Sequence, residues 1–231
     1  MATAGDWIDR LPDVALERSS TVERVADMLR GHIIDGALAP GTRLSEERIS
    51  RKFRVSRNTL REAFRLLGHE RLLVHEFNRG VSVAKPDADD VADLFRFRRA
   101  LELAALRGAA DAPPGAVAAV QEAVSSGEAA RERGDWWGIG TANMHFHRAV
   151  GALLGSPRAD ETMRQLLAEL RLVFHVMAAP RDFHAPYLDR NREISGLLAA
   201  GRHGAAADAL AVYFDDAERQ LLDAFTALGT G

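Results

Sequence analysis

The sequence predicts a mainly α-helical protein in two parts, a mixed N-terminal part and an all-helical C-terminal part. Apolar residues recur at helical spacing through most of the 231 residues. The exception is LLVHEFNRGVSVAK, where two β-prone runs around Asn78-Arg79-Gly80 predict one β-hairpin. After the AKPDADD stretch, in which Pro86 precedes several acidic residues, no convincing strand follows.

These observations divide the chain into four segments. The predicted bounds are an N-terminal arm at 1–19, a mixed domain at 20–84, a linker at 85–90 and an all-helical domain at 91–228. Hydrophobic residues make up 47% of the chain, which is enough for packed cores, and the length fits one large domain or two ordinary ones.

The composition excludes several classes of protein. The chain has no cysteine, so neither a disulfide framework nor a thiolate metal site is possible. No stretch approaches the roughly 20 uninterrupted apolar residues of a membrane span, and the start of the chain shows no basic region followed by an apolar one. We therefore expect a cytoplasmic protein with no membrane partner.

Capping residues predict where the N-terminal helices begin. Ser20 and Glu23 have the spacing of a capping box, and Gly36 is typical of the end of the same helix. Ser45 can cap a short second helix and Ser56 a third. With the hairpin, the predicted order is helix, helix pair, β-hairpin.

The third helix is amphipathic in an unusual way. Its predicted inner face consists of Leu60, Ala63, Phe64 and Leu67. Its outer face carries Arg57, Arg61 and Arg65 at successive turns, and residues 43–65 hold eight basic and three acidic side chains in a chain of net charge −3. A local basic patch indicates a polyanion as partner, although a merely solvated charged helix face remains the alternative.

The element order is that of a winged helix-turn-helix, which resolves the role of the patch. In such a domain the third helix lies in the major groove and its N-terminal residues reach base edges. Arginines there bind guanine edges or phosphates, and hydroxyls at the helix N-terminus favour phosphate. The predicted contacts with double-stranded DNA are Arg43, Ser56, Arg57, Asn58, Thr59, Arg61, Arg65 and, at the wing tip, Arg79 and Gly80.

The second domain is informative where polar residues interrupt its apolar stripes. Its six predicted helices span 88–111, 114–133, 135–154, 157–178, 182–200 and 203–228. Five polar side chains fall on inward stripes of four of these helices: Arg98, Asn143, His147, Asn191 and Tyr213. Buried polar groups must meet each other, water or a ligand. The alternatives are a satisfied internal network, with Arg98 and Glu102 paired structurally, or a cavity for a small anionic effector, which we favour.

Metal binding and catalysis have weaker support in the sequence. Asn143 and His147 could bind a metal from one helix face, but Asn191 and Tyr213 are poor ligands, so we expect no tight metal site. Zinc remains possible but disfavoured, with His175 as a spare ligand, and we expect no cofactor. The sequence has no Gly-rich phosphate loop, no HExxH and no inward carboxylate pair, so we expect no enzyme.

Two sets of motifs resemble a known family. DGALAPGTRLSEERIS, FRVSRNTLREAFRLL and LLVHEFNRGVSV resemble the winged-helix domain of the GntR family of bacterial transcription regulators. FRFRRALELAA and NMHFHRAVGALLGSP resemble the FCD ligand-binding domain of its FadR-type subfamily, so that the likeness covers roughly residues 20–226.

The resemblance implies a homodimer, paired through the helical domains, that binds a near-palindromic operator as repressor or activator. A small effector, often a carboxylic acid, would bind the helical domain and change the affinity for DNA. By position, the resemblance assigns Ser56, Arg57, Thr59 and Arg61 to DNA contact and places Arg98 toward the effector.

This chain departs from the family pattern at several positions. Where many members hold a divalent metal with one aspartate and three histidines, this sequence has Asn143, His147, Asn191 and Tyr213. We therefore expect a metal-free pocket whose side chains contact the effector directly. Arg71 replaces the usual glycine after the recognition helix, which predicts a local adjustment, and at Glu47 some relatives have a DNA-contacting arginine.

The sequence thus predicts a DNA-binding transcription regulator controlled by a small organic acid. The alternative is a helical small-molecule-binding protein or enzyme that uses the winged domain only for assembly.

Overall fold

The computed structural model describes residues 17–34, 37–76, 80–174 and 180–229 and confirms the mainly helical fold class. The N-terminal elements are α1 (Glu17–Ile34), β1 (Arg43–Leu44), α2 (Glu46–Phe53), α3 (Arg57–His69), β2 (Leu73–Glu76) and β3 (Gly80–Val83). The C-terminal helices are α4 (Ala88–Arg107), α5 (Ala116–Glu132), α6 (Trp136–Ala152), α7 (Pro157–Val173), α8 (Pro180–Ala199) and α9 (His203–Gly229). A 3-10 turn, Ala109–Asp111, follows α4.

The N-terminal elements form a winged helix-turn-helix. The three strands make an antiparallel sheet in the order β1-β3-β2, with Leu44 opposite Val81 and Val74 opposite Ser82. Ser45 and Ser56 cap α2 and α3 as predicted, each accepting a hydrogen bond from the backbone N–H three residues on. The predicted inner face of α3 is buried in the domain core.

The predicted start of the first helix is wrong. Helix α1 begins at Glu17, so Ser20 lies within its first turn and does not cap it. The residues before Ser20 in ERSS extend the helix, because Glu and Arg are good helix formers. The predicted Gly36 cap, the wing residues Asn78 and Arg79, and most of the N-terminal arm lie outside the described residues.

The six predicted C-terminal helices are present, with shifted ends. Helix α4 begins at Ala88 as predicted, within the segment assigned to the linker, because Asp87 and Asp90 form a reciprocal capping box at 2.9 and 3.0 Å, and it ends at Arg107 rather than at residue 111. Helix α5 begins at Ala116, two residues late, because Gly115 takes a left-handed conformation at its N-cap. Residues 175–179, with the spare ligand His175, lie outside the described part of α7 and α8.

Helix α7 holds the two domains together. Its Ala168 and Leu172 are buried in the core of the winged domain. Nearby, the buried carboxylate of Glu70 accepts hydrogen bonds from Arg30 at 2.7 Å and from Arg164 of α7 at 3.2 Å. The winged domain is therefore anchored to the bundle by apolar and ionic contacts as well as by the chain between β3 and α4.

Two arginines adopt the left-handed backbone conformation that favours glycine. Arg71 has a φ of 56°, which is the local adjustment expected where the family has glycine, and Arg54 has a φ of 54° at the end of α2. A side chain in this conformation costs roughly 1–2 kcal/mol, partly offset by the entropy that glycine loses on folding.

Replacing Arg54 with glycine is expected to stabilise the protein by about 0.5–1 kcal/mol, because it removes this steric cost. Chemical denaturation measures the change in unfolding free energy. The matched control is Arg96→Gly in α4, an exposed arginine within a helix, which is expected to destabilise by about 1 kcal/mol. Equal destabilisation by both variants would contradict the interpretation of Arg54.

Candidate DNA-binding surface and effector site

The N-terminal half of α3 presents polar and cationic groups on the surface. Arg57, Asn58 and Arg61 are exposed and Thr59 is half-buried. Among the described residues, Arg57 and Arg61 form no ion pair, so both guanidiniums are available to a partner. The Ser56 hydroxyl caps the helix, accepting from the Thr59 N–H at 3.0 Å and lying 2.8 Å from the Thr59 hydroxyl.

The other predicted DNA contacts differ in whether their charged groups are paired. Arg65 is exposed but paired with Glu62 at 2.7 Å, and Arg43 is exposed on β1. Gly80 is exposed at the start of β3 with a φ of 84°, a conformation that suits a tight wing turn. Arg79 lies outside the described residues. Glu47 forms an ion pair with Arg51 at 2.6 Å, so its carboxylate is partly neutralised beside the basic surface.

All five polar residues predicted to face inward are buried and lie in one network. Arg98, Asn143, His147, Asn191 and Tyr213 are each at most 6% exposed. They come from α4, α6, α8 and α9, which pack around a shared apolar core. The stripe pattern therefore located side chains that tertiary packing brings together.

Glu102 is the centre of this network. One of its oxygens accepts from Arg98 Nε at 2.9 Å, and the other lies 2.7 Å from His147 Nδ1. The Arg98 guanidinium also lies over the Phe214 ring, 4.8 Å from its centroid. From the sequence, Glu102 is expected only as a structural partner of Arg98. The i, i+4 spacing on α4 predicts that contact, but it does not predict the contact with His147.

On the other side of His147 the network continues through amides. The Tyr213 hydroxyl lies 3.0 Å from both His147 Nε2 and Asn143 Oδ1, and Asn191 Nδ2 donates to Asn143 Oδ1 at 2.7 Å. Tyr213 has one proton for two acceptors. This side of the network is therefore short of hydrogen-bond donors.

Burial and neighbouring charges set the protonation states. Burial alone would raise the pKa of Glu102, but His147 and Arg98 outweigh it and hold that pKa below its usual range. Burial lowers the pKa of His147, and Arg98 lowers it further, against the opposing effect of Glu102. Burial also raises the pKa of Tyr213. The network at neutral pH thus contains anionic Glu102, cationic Arg98, neutral His147 and neutral Tyr213.

Two buried atoms of the network have no hydrogen-bond partner among the described residues. They are Arg98 Nη2, which is a donor, and Asn191 Oδ1, which is an acceptor. Unsatisfied buried polar atoms are costly, by about 1–3 kcal/mol each. Most polar atoms of the network form hydrogen bonds with one another. A bound molecule that carries both an acceptor and a donor would supply the hydrogen-bond partners that these two atoms lack.

The strong metal ligands of the network are already used. Glu102 and His147 bind each other, and the remaining side chains are amides, a phenol and a guanidinium. Across the described ranges, no group of three or more His, Cys, Asp or Glu residues is placed to hold a metal ion. The donor set fits a metal poorly, and a metal-free pocket stays a prediction.

Comparison with known proteins shows what this chain resembles. The FCD domain family matches residues 93–216, and the gntR family of bacterial regulatory proteins matches residues 21–83. A crystal structure of a putative transcriptional regulator GntR from Rhodococcus sp. RHA1 is 47% identical, with a TM-score of 0.83 over 88% of this chain and 98% of that chain.

Two curated relatives match the N-terminal region. An uncharacterized HTH-type transcriptional regulator, BphR of Paraburkholderia xenovorans, is 40% identical over 88 residues, which are 38% of this chain and 36% of that protein. The gluconate operon transcriptional repressor of Bacillus subtilis is 37% identical over 87 residues, which are 38% of this chain and 35% of that protein. The matched segments thus span little more than a third of the length of these relatives.

The fold, the exposed arginines of α3 and these matches define a class: a DNA-binding transcription regulator with a winged helix-turn-helix and an all-helical C-terminal domain. The chain belongs to the GntR family and carries an FCD domain. Regulators of this family bind DNA operators and function as dimers. Among the described residues, no helix is long and apolar enough to cross a membrane.

Proposed function

We propose that this protein is a homodimeric repressor whose affinity for its operator is controlled by a small hydroxylated organic acid bound at the Arg98 network. The observation that carries the proposal is the pair of unsatisfied buried atoms, Arg98 Nη2 and Asn191 Oδ1. A carboxylate would accept from Arg98, and a hydroxyl of the same molecule would donate to Asn191.

The arrangement of helices supports a link between this site and DNA. Arg98 and Glu102 lie on α4, which begins at Ala88, directly after the wing strand β3. Helix α7, which packs against α4 and α6, is also buried against the winged domain through Ala168 and Leu172. An effector that repositions Arg98 would thus act on two elements that touch the DNA-binding domain, favouring one of two domain arrangements.

The likeness to the gluconate operon transcriptional repressor supports the choice of repressor, because that relative matches the DNA-binding region of this chain. The side chains of the Arg98 network support the ligand class independently, through one free cationic donor and a shortage of donors near Asn143.

A thermal-shift screen of small hydroxy acids tests the effector site. A ligand that binds only the folded protein raises its melting temperature. We expect one acid to raise it equally with EDTA and with added zinc. Its non-hydroxylated analogue is the matched control and is expected to give a smaller shift. A shift that requires zinc would contradict the metal-free pocket.

A further inference from the structure

A cavity of about 550 Å³ lies between the winged domain and the helical bundle. Its walls come from the end of α3, the strands β2 and β3, the start of α4 and helix α7. Phe64, Leu73 and Val81 supply apolar surface. None of the five predicted effector residues lines this cavity, so it is separate from the Arg98 network.

The cavity contains a buried carboxylate without a partner. Glu169 of α7 is 6% exposed, lines this cavity, and makes no hydrogen bond or ion pair with any described residue. Burial raises its pKa to about 7; Arg71 acts against this, and Asp90 and Asp93 add to it. A buried carboxylate lacking a partner is costly unless it holds a proton or meets a cation.

The acidic and basic residues that line the cavity differ in burial. Glu169 is buried and Asp90 is half-buried, whereas Arg71 and Lys85 are exposed. A complementary molecule would carry a cation for the buried carboxylate and an acid group for the exposed cations.

We propose that this interdomain cavity is a second small-molecule site that takes an amino-acid-like zwitterion. Its side-chain cation pairs with Glu169, and its acid group meets Arg71 and Lys85. The bound molecule contacts both the DNA-binding domain and helix α7, and therefore fixes their relative orientation. The site is independent of the proposed effector and of the identity of the operator.

Calorimetric titration of the full-length protein with L-arginine tests the proposal without DNA. Two analogues separate the ends of the ligand: citrulline has a neutral urea in place of the side-chain cation, and agmatine lacks the carboxylate. We expect citrulline to bind at least about tenfold more weakly than arginine, because it loses a charge-assisted hydrogen bond. Agmatine is expected to lie between them.

The variant Glu169→Gln is expected to lose the preference for arginine over citrulline, whereas Glu193→Gln, an exposed carboxylate on α8, keeps it. In the wild type, arginine is expected to bind roughly tenfold more tightly at pH 8 than at pH 6, since a proton competes for Glu169. His69 and His75 also line the cavity, so the Glu169→Gln variant isolates the effect of the carboxylate.

Three results would overturn the proposal. They are equal binding of arginine and citrulline, unchanged arginine binding by Glu169→Gln, and no binding of arginine up to about 10 mM, beyond the weak end of small-molecule affinities. In the last case Glu169 is satisfied by a proton alone. A negative outcome leaves the proposed effector site unaffected, because its test uses organic acids that lack the cationic group.

Discussion

Replacing Arg57 or Arg61 with alanine is expected to weaken operator binding by about ten- to a hundredfold, because each arginine is worth roughly 1–3 kcal/mol at a base edge. Both side chains are exposed on the first two turns of α3 and have no ion-pair partner among the described residues. Fluorescence anisotropy measures the effect on DNA selected from a random pool by the wild-type protein.

Arg96→Ala, an exposed arginine of α4 on the helical domain, is the matched control and is expected to leave DNA affinity unchanged. The melting temperatures of all three variants should match the wild type, since none of the side chains is buried. The affinity of the wild type should fall steeply with salt, because phosphate contacts release counterions. Retained operator affinity in both α3 variants would exclude α3 as the recognition helix.

Replacing Glu102 with alanine is expected to destabilise the protein by about 3–5 kcal/mol, because the change leaves the Arg98 cation buried without its counterion. Both side chains are at most 1% exposed, and Glu102 also holds His147. Urea denaturation of the full-length protein measures the change in unfolding free energy.

A surface ion pair is the control for Glu102. Asp189 and Arg131 are 2.9 Å apart, Asp189 is exposed and Arg131 is half-buried, so Asp189→Ala is expected to cost less than about 1 kcal/mol. A double variant, Arg98→Met with Glu102→Leu, is expected to recover part of the loss, since it removes both charges. Similar, small losses for Glu102→Ala and Asp189→Ala would show that the network does not depend on the buried pair.

Local features of the sequence predicted local structure well. Ser45 and Ser56 cap their helices because a hydroxyl three residues before a free N–H is sufficient for the contact. The apolar stripe of α3 and the inward position of Arg98 follow from helical periodicity alone. The start of α1 was missed because helix formers on both sides of Ser20 allow the helix to begin earlier.

Contacts between distant segments could not be predicted from a single sequence. His147 meets Glu102 from 45 residues away, and periodicity gives the face of a helix but not the partner of that face. Glu169 occupies an ordinary position in α7, and nothing near it in the sequence shows that α7 packs against the winged domain. Its burial and its cavity depend on that packing.

In the proposed mechanism, an acid bound at Arg98 controls DNA binding. Its most direct test is the affinity for the selected operator, measured with and without the acid identified by thermal shift, in the wild type and in Arg98→Lys. Lysine keeps the positive charge beside Glu102 but lacks the free Nη2 donor. We expect the acid to weaken operator binding by the wild type at least about fivefold, the lower end of typical coupling. The variant should bind DNA normally and not respond. An equal response in both proteins would show that Arg98 does not mediate the effect of the acid.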